Sequence, residues 1–189
     1  MASQSSVPIS FLSITENRKL CTENCLLITE DRQPSTNVLN IVLFEPEIHY
    51  NAGNVGRTCV ALEAKLWLVR PLGFRLDDRH LHRAGLDYWE HLNWEVIDDW
   101  AALDRQFPQF RPWFFTKTAS RLYTQVQYGP DDVLVFGSET RGLPPAILAA
   151  HADRCLRIPM HRHVRSLNLA VSVGIAAYEA MRQITNGKC

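Results

Sequence analysis

The chain contains 189 residues, carries no net formal charge and is 46% hydrophobic. This composition supports a buried core and excludes a wholly disordered protein, while the length suits one compact domain with room for an extension. The neutral balance excludes a uniformly basic surface that would attract nucleic acid from every direction. No apolar run reaches the roughly 18 residues that a membrane-spanning helix needs, so we expect no membrane association.

Residues 1–36 differ in composition from the rest of the chain, being rich in Ser, Thr, Asn and Gln. They predict a flexible N-terminal extension, followed by one domain over residues 37–189. The first residues lack the basic start and long apolar run of a secretory signal. The five cysteines are irregularly spaced, which argues against a disulfide framework and indicates a reducing, cytoplasmic location.

The domain begins with alternating strand and helix patterns. The apolar segments "VLNIVLFEP" and "KLWLVRP" predict two strands, each closed by a proline. Between them, "NVGRTCVALEA" predicts a helix whose start either Asn51 or Asn54 could cap. The segment "DDRHLHRAGLDYWEHL" predicts a second helix, with Asp77 or Asp78 as its N-cap.

The same alternation continues to the end of the chain. Strands are predicted at "WEVIDDW", "PWFFTKT", "DDVLVFGSE" and "RCLRIPM". Helices are predicted at "DDWAALDRQF", starting at Asp98 or Asp99, and at "LPPAILAAH", which prolines open. This order predicts an α/β domain with a mainly parallel sheet and helices on both faces.

The segment "SLNLAVSVGIAAYEAMRQI" predicts the last helix. Its larger side chains recur at helical spacing along one stripe, and its alanines would let another helix approach closely. The stripe consists of Leu167, Val171, Gly174, Tyr178 and Met181, and the alanines are Ala170, Ala176, Ala177 and Ala180.

Three loops that follow predicted strands are unusually polar: "EPEIHYNAGNVGR", "FGSETRGLP" and "IPMHRHVRSLN". Ligands of open α/β sheets bind outside the carboxyl ends of the strands. Glycines let the backbone approach a ligand, and exposed N–H and C=O groups can bind its polar edges. The three loops therefore predict a site for a nucleotide-like ligand.

Several common site motifs are absent from these loops. Only Gly53 and Gly56 stand where a dinucleotide fingerprint needs three glycines, and neither a P-loop nor a nucleophile elbow occurs. Ser138 has no evident His or Asp partner for nucleophilic catalysis. The pair His161 and His163 in an Arg-rich loop is more typical of a solvated loop than of a metal site, so we expect no metal.

Arginine dominates the basic residues, since the chain contains only four lysines. Arginine suits planar, bidentate contacts to phosphate, although genome composition explains a high arginine content equally well. One close group near the C-terminal end consists of Arg154, Arg157, Arg162 and Arg165.

Four segments in order, from residue 38 to residue 184, resemble the SPOUT class of RNA methyltransferases. More narrowly, they are similar to bacterial tRNA (cytidine/uridine-2'-O-)-methyltransferases that act on the wobble nucleotide of leucine tRNAs. The segments are "IVLFEPEIHYNAGNVGRTC", "RPLGFRLDDRHLHRAGLDYWEH", "LVFGSETRGLP" and "RIPMHRHVRSLNLAVSVGIAAYEAMRQ". The resemblance implies a C-terminal trefoil knot, which the rarity of knots would otherwise exclude. It also implies S-adenosylmethionine as the cofactor and a homodimer that binds the anticodon loop of tRNA.

The resemblance assigns roles to individual residues. It implies cofactor contacts at Phe115, Thr116, Gly137, Glu139, Gly142, Ile158, Met160, Ser166, Leu167 and Asn168. It implies catalytic roles for Arg57, Asn51 and Glu139. It further suggests RNA contacts, shared between two subunits, by Arg57, Arg75, Arg79, Arg83, Arg162 and Arg165.

An arginine is a poor general base because its pKa exceeds about 12, so we expect Arg57 to hold the RNA phosphate and ribose in line. The asparagines of "NAGNVGRT" would shape a loop facing the RNA, and its glycines would give clearance. A purely structural interpretation instead pairs Arg57 with Glu45 or Glu47.

The residues also leave open the roles of two loop side chains and of one aromatic ring. Glu139 and Arg141 could form a mutual ion pair, and Tyr178 could serve the dimer interface, the site or ordinary core packing. The substrate is open in the same way. The activity could be directed to another tRNA or ribosomal RNA ribose, or the protein could be a non-catalytic dimeric RNA-binding protein.

Overall fold

The structure, a computed structural model, describes residues 39–76, 87–106, 111–130 and 132–186. The predicted extension and its boundary at residue 37 lie outside these ranges. So do Asp77, Asp78, Arg79 and Arg83, together with most of the helix predicted around them. The last part of that segment is a 3₁₀ helix, Asp87–His91.

Six strands and four α-helices make up the described part of the domain. The strands are β1 Asn40–Phe44, β2 Lys65–Val69, β3 Trp94–Ile97, β4 Arg111–Phe115, β5 Asp132–Phe136 and β6 Cys155–Leu156. The α-helices are α1 His49–Ala61, α2 Trp100–Gln106, α3 Pro145–Ala150 and α4 Leu169–Asn186. The element types therefore follow the predicted alternation.

The six strands form one sheet in the order β3-β2-β1-β5-β4-β6, and every pairing is parallel. The expected α/β class is confirmed. The chain moves outward from β1 through β2 to β3, then returns to the other side of β1. This reversal creates a switch point between β1 and β5, where ligands of open parallel sheets commonly bind.

Alternate residues of the strands pack on opposite faces of the sheet, because side chains project with a period of two. On one face, Ile41 and Leu43 of β1 pack with residues of α1 and α4. On the other, Val42 and Phe44 pack with residues of α2 and α3. Burial on both faces explains why residues 41–44 of the central strand are all apolar.

Helix α1 begins earlier than its sequence pattern predicts. Its N-cap is Ile48, and no side chain of its own segment caps it. Asn51 and Asn54 therefore lie inside the helix, so the prediction that one of them caps it is wrong, as is the assignment of "NAGNVGRT" to a loop. At α2, by contrast, Asp99 Oδ1 accepts a 2.6 Å hydrogen bond from the Ala102 N–H, as expected for an N-cap.

The buried face of α4 differs from the predicted stripe. Val171 and Tyr178 are exposed, whereas the buried residues are Leu169, Val173, Ala176, Ala177 and Ala180. The alanines allow α4 to pack closely against α1. Large side chains between these two closely packed helices would clash, so the smaller residues of α4 face the core.

Two further features complete the fold. The strand predicted at "RCLRIPM" is reduced to the two residues of β6, which pair with the end of β4. Within the described ranges, no helix is both long and apolar enough to cross a membrane.

Candidate active site

A cavity of about 840 Å³ lies at the carboxyl ends of β4 and β5, where the predicted loops meet. Its volume falls within the roughly 300–1,000 Å³ typical of small-molecule sites. All ten residues that the resemblance assigns to the cofactor line this cavity, from Phe115 to Asn168. The tertiary structure thus brings together three segments that are far apart in sequence.

The loop "GSETRG" forms a tight turn along one side of the cavity. The Gly142 N–H donates a 2.9 Å hydrogen bond to the Ser138 carbonyl, and Gly142 has a φ of 70°. A Cβ at Gly137 would collide with the backbone of Gly142 and Leu143. Both glycines are therefore required by the turn. The buried Ser138 hydroxyl accepts a bond from the Arg141 N–H, which fits a turn-stabilising role.

One apolar wall of the cavity contains two stacked aromatic rings. The centroids of Phe115 and Phe136 lie 4.5 Å apart with an interplanar angle of 14°. Ile158, Met160 and Leu167 add further apolar surface to the cavity lining. Polar groups lie at the rim of the same cavity.

Asn51 and Glu139 lie at that rim, joined by a hydrogen bond from Asn51 Nδ2 to Glu139 Oε1 of 2.8 Å. Asn51 Oδ1 in turn accepts a 2.9 Å bond from Asn168 Nδ2. The same Asn168 caps α4, because its Oδ1 accepts from the N–H groups of Ala170 and Val171. One chain of hydrogen bonds thus connects all three predicted loops.

Glu139 also supplies the cap that α1 lacks locally. Its carboxylate accepts hydrogen bonds from the Glu47 N–H at 2.8 Å and the Ile48 N–H at 3.2 Å. A carboxylate at a helix N-terminus satisfies unpaired N–H groups and interacts favourably with the helix dipole. Helix α1 therefore starts where the second loop holds it.

The predicted pairing of Arg57 with Glu45 or Glu47 is wrong, and so is the predicted pairing of Glu139 with Arg141. Arg141 pairs with Glu45, at 3.0 Å between Nη2 and Oε2, and approaches Glu47 at 3.9 Å. Thr140 Oγ1 also donates to Glu47 Oε1 at 2.6 Å. These contacts tie the first loop to the second and leave neither Arg57 nor Glu139 in the predicted pairs.

Arg57 is an exposed residue of α1 whose described partner is an aromatic ring. Its guanidinium carbon lies 4.8 Å from the centroid of the Tyr88 ring, which is the geometry of a cation–π contact. Tyr88 Oη donates a 2.8 Å bond to the Gly53 carbonyl, one turn earlier in the same helix. Sequence reasoning missed Tyr88, although it lies in the resembling segment "AGLDYWEH".

Gly56 serves packing inside the domain. A Cβ there would lie 2.9 Å from Trp89 and 3.0 Å from Leu92, and Gly53 is also buried. The prediction that Gly56 gives clearance to RNA is therefore wrong, whereas the same prediction for Gly53 stays a prediction. Gly56 allows the 3₁₀ helix to approach α1 and so to bring Tyr88 to Arg57.

The described arginines proposed for RNA contact are on the surface. Arg75, Arg162 and Arg165 are all exposed, and Arg165 also lines the cavity. His161 and His163 are exposed with ring centroids 4.8 Å apart. In the part of the chain that the structure describes, no group of three or more His, Cys, Asp or Glu side chains is placed to hold a metal ion.

Neither described cysteine is suited to nucleophilic chemistry. Burial raises the pKa of the Cys59 thiol to about 12, and burial followed by the charge of Asp153 raises the pKa of Cys155. A thiol reacts as its thiolate, so both remain inert near neutral pH. Among the described residues, the chemistry at the cavity therefore rests on oxygen and nitrogen groups.

A parallel sheet with a cavity built from three loops at its carboxyl edge defines an α/β ligand-binding domain. Residues 38–178 match the model of the SpoU rRNA Methylase family, and the chain belongs to that family. The resemblance in the sequence is thereby confirmed.

Curated relatives and solved structures agree with this assignment. The chain is 45% identical over 148 residues to a tRNA (cytidine(34)-2'-O)-methyltransferase of Saccharophagus degradans, covering 78% of this chain and 96% of the relative. It is 47% identical to a structure described as giving insights into the 2-OH methylation of C/U34 on tRNA, with a TM-score of 0.75 and 79% and 98% of the two chains covered. An AdoMet-bound rRNA methyltransferase from Sinorhizobium meliloti is 26% identical, with a TM-score of 0.70 and coverage of 80% and 59%.

Proposed function

We propose that this protein transfers a methyl group from S-adenosylmethionine to the ribose 2'-hydroxyl of nucleotide 34 in tRNA. The observation that carries the proposal is the cavity itself, which gathers every expected cofactor residue in a chain 47% identical to a structure concerned with C/U34 methylation. Leucine tRNAs are the proposed substrates, with cytidine or a modified uridine at the wobble position.

The residues of the cavity fit the cofactor. The stacked Phe115 and Phe136 and the neighbouring Ile158 offer an apolar surface for adenine. Polar groups at Thr116, Ser166 and Asn168 lie around the same cavity. When bound, the cofactor supplies an already activated methyl group, so the work of the chain is mainly positioning.

Arg57 is the proposed catalytic residue, because it is exposed on the helix whose first turn carries the cavity-lining Asn51 and because it is permanently charged. It binds the phosphate next to the target ribose and orients the 2'-hydroxyl towards the cavity. Asn51 and Glu139 act as positioning residues. Glu139 already accepts three N–H groups, so its role is to hold α1 and Asn51 in place.

The proposed assembly is a homodimer. Among the described residues, four exposed large apolar side chains lie at the start of α1 and on α4: Ile48, Tyr50, Val171 and Tyr178. Apolar surface of this kind favours association, and the exposure of Tyr178 argues against ordinary core packing. Light scattering after gel filtration tests the dimer, and Tyr178→Arg should shift the population towards monomer.

A trefoil knot near the C-terminus is also part of the proposal. Arg157 exchanges backbone hydrogen bonds with the loop that follows β4, donating to Arg121 at 2.9 Å and accepting from Tyr123 at 3.0 Å. The segment leading to α4 therefore runs beside that loop, as a knotted path requires. A crystal structure traced through residues 116–168 tests it. The buried free Cys59 and Cys155 support the proposed cytoplasmic location.

The decisive experiment incubates purified protein with labelled S-adenosylmethionine and leucine tRNA transcripts. A transcript with a 2'-deoxyribose at nucleotide 34 is the matched control, because it lacks only the accepting oxygen. We expect label in the normal transcript alone, and mass spectrometry of the nucleosides should find it as a 2'-O-methyl group. Label at another nucleotide, or in ribosomal RNA, would indicate a different substrate. Cofactor binding without transfer to any RNA would favour a non-catalytic RNA-binding protein.

A further inference from the structure

Four arginines lie along the edge of the sheet formed by β4 and β6: Arg111, Arg121, Arg154 and Arg157. We propose that this arginine strip binds the phosphodiester backbone of the substrate tRNA beyond the nucleotide that enters the cavity. The inference rests on the proposed function and extends its RNA-binding surface to residues beside β4 and β6.

Trp113 organises the first part of the strip. The guanidinium carbon of Arg154 lies 4.8 Å from the centroid of the Trp113 ring. Trp113 Nε1 donates a 3.0 Å bond to Asp132 Oδ2, and Arg111 Nε lies 3.2 Å from the other oxygen of that carboxylate. The ring and the buried carboxylate therefore hold two guanidinium groups at defined positions.

The other two arginines lie on the adjoining loop and strand end. Arg121 Nη1 donates to the Asp153 carbonyl at 3.4 Å, next to Arg154. Arg157 Nε approaches the Ser120 carbonyl at 3.5 Å. Both contacts are to neutral backbone carbonyls, so neither contact offsets the positive charge of the guanidinium group.

The charge of this region is unbalanced in favour of the cations. Asp132 is only 2% exposed and already pairs with Arg111. Among the described residues, Asp153 is the acidic side chain that faces solvent beside these arginines, and it lies 3.9 Å from Arg154. An exposed pair at that distance is weak. A polyanion therefore meets a net positive surface here, although the whole chain is neutral.

The shape of the surface also suits an extended polar ligand. A groove of about 440 Å³ has Trp113 at its side and is otherwise lined by Arg121, Gln125, Val126, Gln127, Asp153 and Arg154. Arginine and glutamine supply several N–H donors to phosphate and ribose oxygens. An uncharged small molecule would gain little from so many donors, whereas a phosphodiester backbone uses them.

The strip is continuous with the cavity. Arg157 precedes Ile158 directly, and the cavity-lining Thr118 lies three positions before Arg121. Arg111 is four residues from Phe115 along β4, which at about 3.3 Å per residue places it about 13 Å from the cavity. A nucleotide in the cavity and its flanking backbone on the strip can therefore belong to one RNA.

The test measures tRNA affinity by filter binding between about 50 and 200 mM salt, because phosphate contacts release counterions. The association constant K for tRNA falls as the salt concentration rises. Replacing Arg121 and Arg154 together by glutamine should make the plot of log K against log salt less steep, by about 0.7 to 0.9 per lost contact. Arg105→Gln, an exposed arginine on α2, should leave the slope unchanged. The cofactor dissociation constant should be unchanged in both proteins.

Lysine at the same two positions should restore most of the slope, since lysine keeps the charge without the planar geometry. If the double glutamine variant does not fold, Arg121→Gln alone tests the strip, because its side chain makes one long contact to a carbonyl. If the wild-type protein methylates tRNA and the glutamine variants keep the wild-type salt dependence, the arginine strip does not bind tRNA and the proposed function still stands. A wild-type protein that neither binds nor methylates tRNA overturns the proposed function as well.

Discussion

Asn51 and Glu139 are 88 positions apart in sequence, yet the Asn51 amide donates to the Glu139 carboxylate at 2.8 Å. The same carboxylate caps α1, the helix that carries Asn51 and Arg57. One contact therefore couples the position of α1 to the loop that lines the cavity. Cofactor binding at that loop would therefore directly affect the position of α1.

Asn51→Asp should disrupt this coupling. The new carboxylate would face Glu139 without the donated hydrogen bond, and Asn51 is only 6% exposed. Loss of a partner at a buried polar site costs about 1–3 kcal/mol, so we expect a lower free energy of unfolding and weaker cofactor binding. Chemical denaturation and calorimetric titration measure the two effects. Asn54→Asp, exposed on the same helix, is the control and should change neither.

Tyr88 should set the position of Arg57. Tyr88→Leu removes the ring under the guanidinium, and we expect kcat for methyl transfer to fall about tenfold or more while cofactor affinity is retained. Tyr88→Phe keeps the cation–π contact, worth about 0.5–1 kcal/mol at exposed sites, and loses the hydrogen bond to the Gly53 carbonyl. Its kcat should lie between those of the wild type and Tyr88→Leu. Equal kcat values for Tyr88→Leu and wild type would rule out this positioning role.

Gly56→Ala and Gly174→Ala should change stability in opposite directions. Alanine gains up to about 1 kcal/mol over glycine inside a helix. At Gly174 nothing in the same subunit lies within 4 Å of the added Cβ, so that gain should appear when the change is made in the Tyr178→Arg protein, in which the proposed dimer contact is weakened. At Gly56 the methyl would press on Trp89 and Leu92, and overpacking typically costs about 1–3 kcal/mol. Urea unfolding should therefore show a stabilised Gly174→Ala and a destabilised Gly56→Ala protein.

Glu179 should contribute a pH-dependent part of the stability. Its hydrogen bonds from Arg182 and Gln183 lower its pKa from 4.5 to about 2. Because the folded pKa is lower than the unfolded one, the contribution is present above about pH 4.5 and is lost as the pH falls towards 2. The side chains lie near the surface, so we expect about 0.5–1 kcal/mol.

Comparing unfolding of the wild type and Glu179→Gln at pH 7 and pH 3 measures that contribution. The difference between the two proteins should shrink at the lower pH. Glu90→Gln changes an exposed carboxylate and serves as the control. A difference that stays constant across this range would contradict the assignment to Glu179.

Local patterns were sufficient for most elements of the sheet. Buried strands such as β1 and β5 are continuous apolar runs after their first residue, and Asp99 caps α2 from within its own segment. Local patterns failed where a distant group decided the outcome. The local sequence predicted Asn51 as a cap because Glu139, which caps the helix, is 88 positions away. It predicted the larger side chains of α4 as the buried face because α1, against which α4 packs, is distant in sequence.

The sequence by itself determined the α/β alternation, the family of the chain and, through the family resemblance, ten of the residues that line the cavity, because those signals are carried by contiguous segments. The tertiary structure decided what the residues of "NAGNVGRT" do. Asn51 bridges partners 88 and 117 positions away, Gly56 admits Trp89, and Arg57 lies against Tyr88. Each of these roles depends on a side chain that is brought near only when the parallel strands align their carboxyl ends.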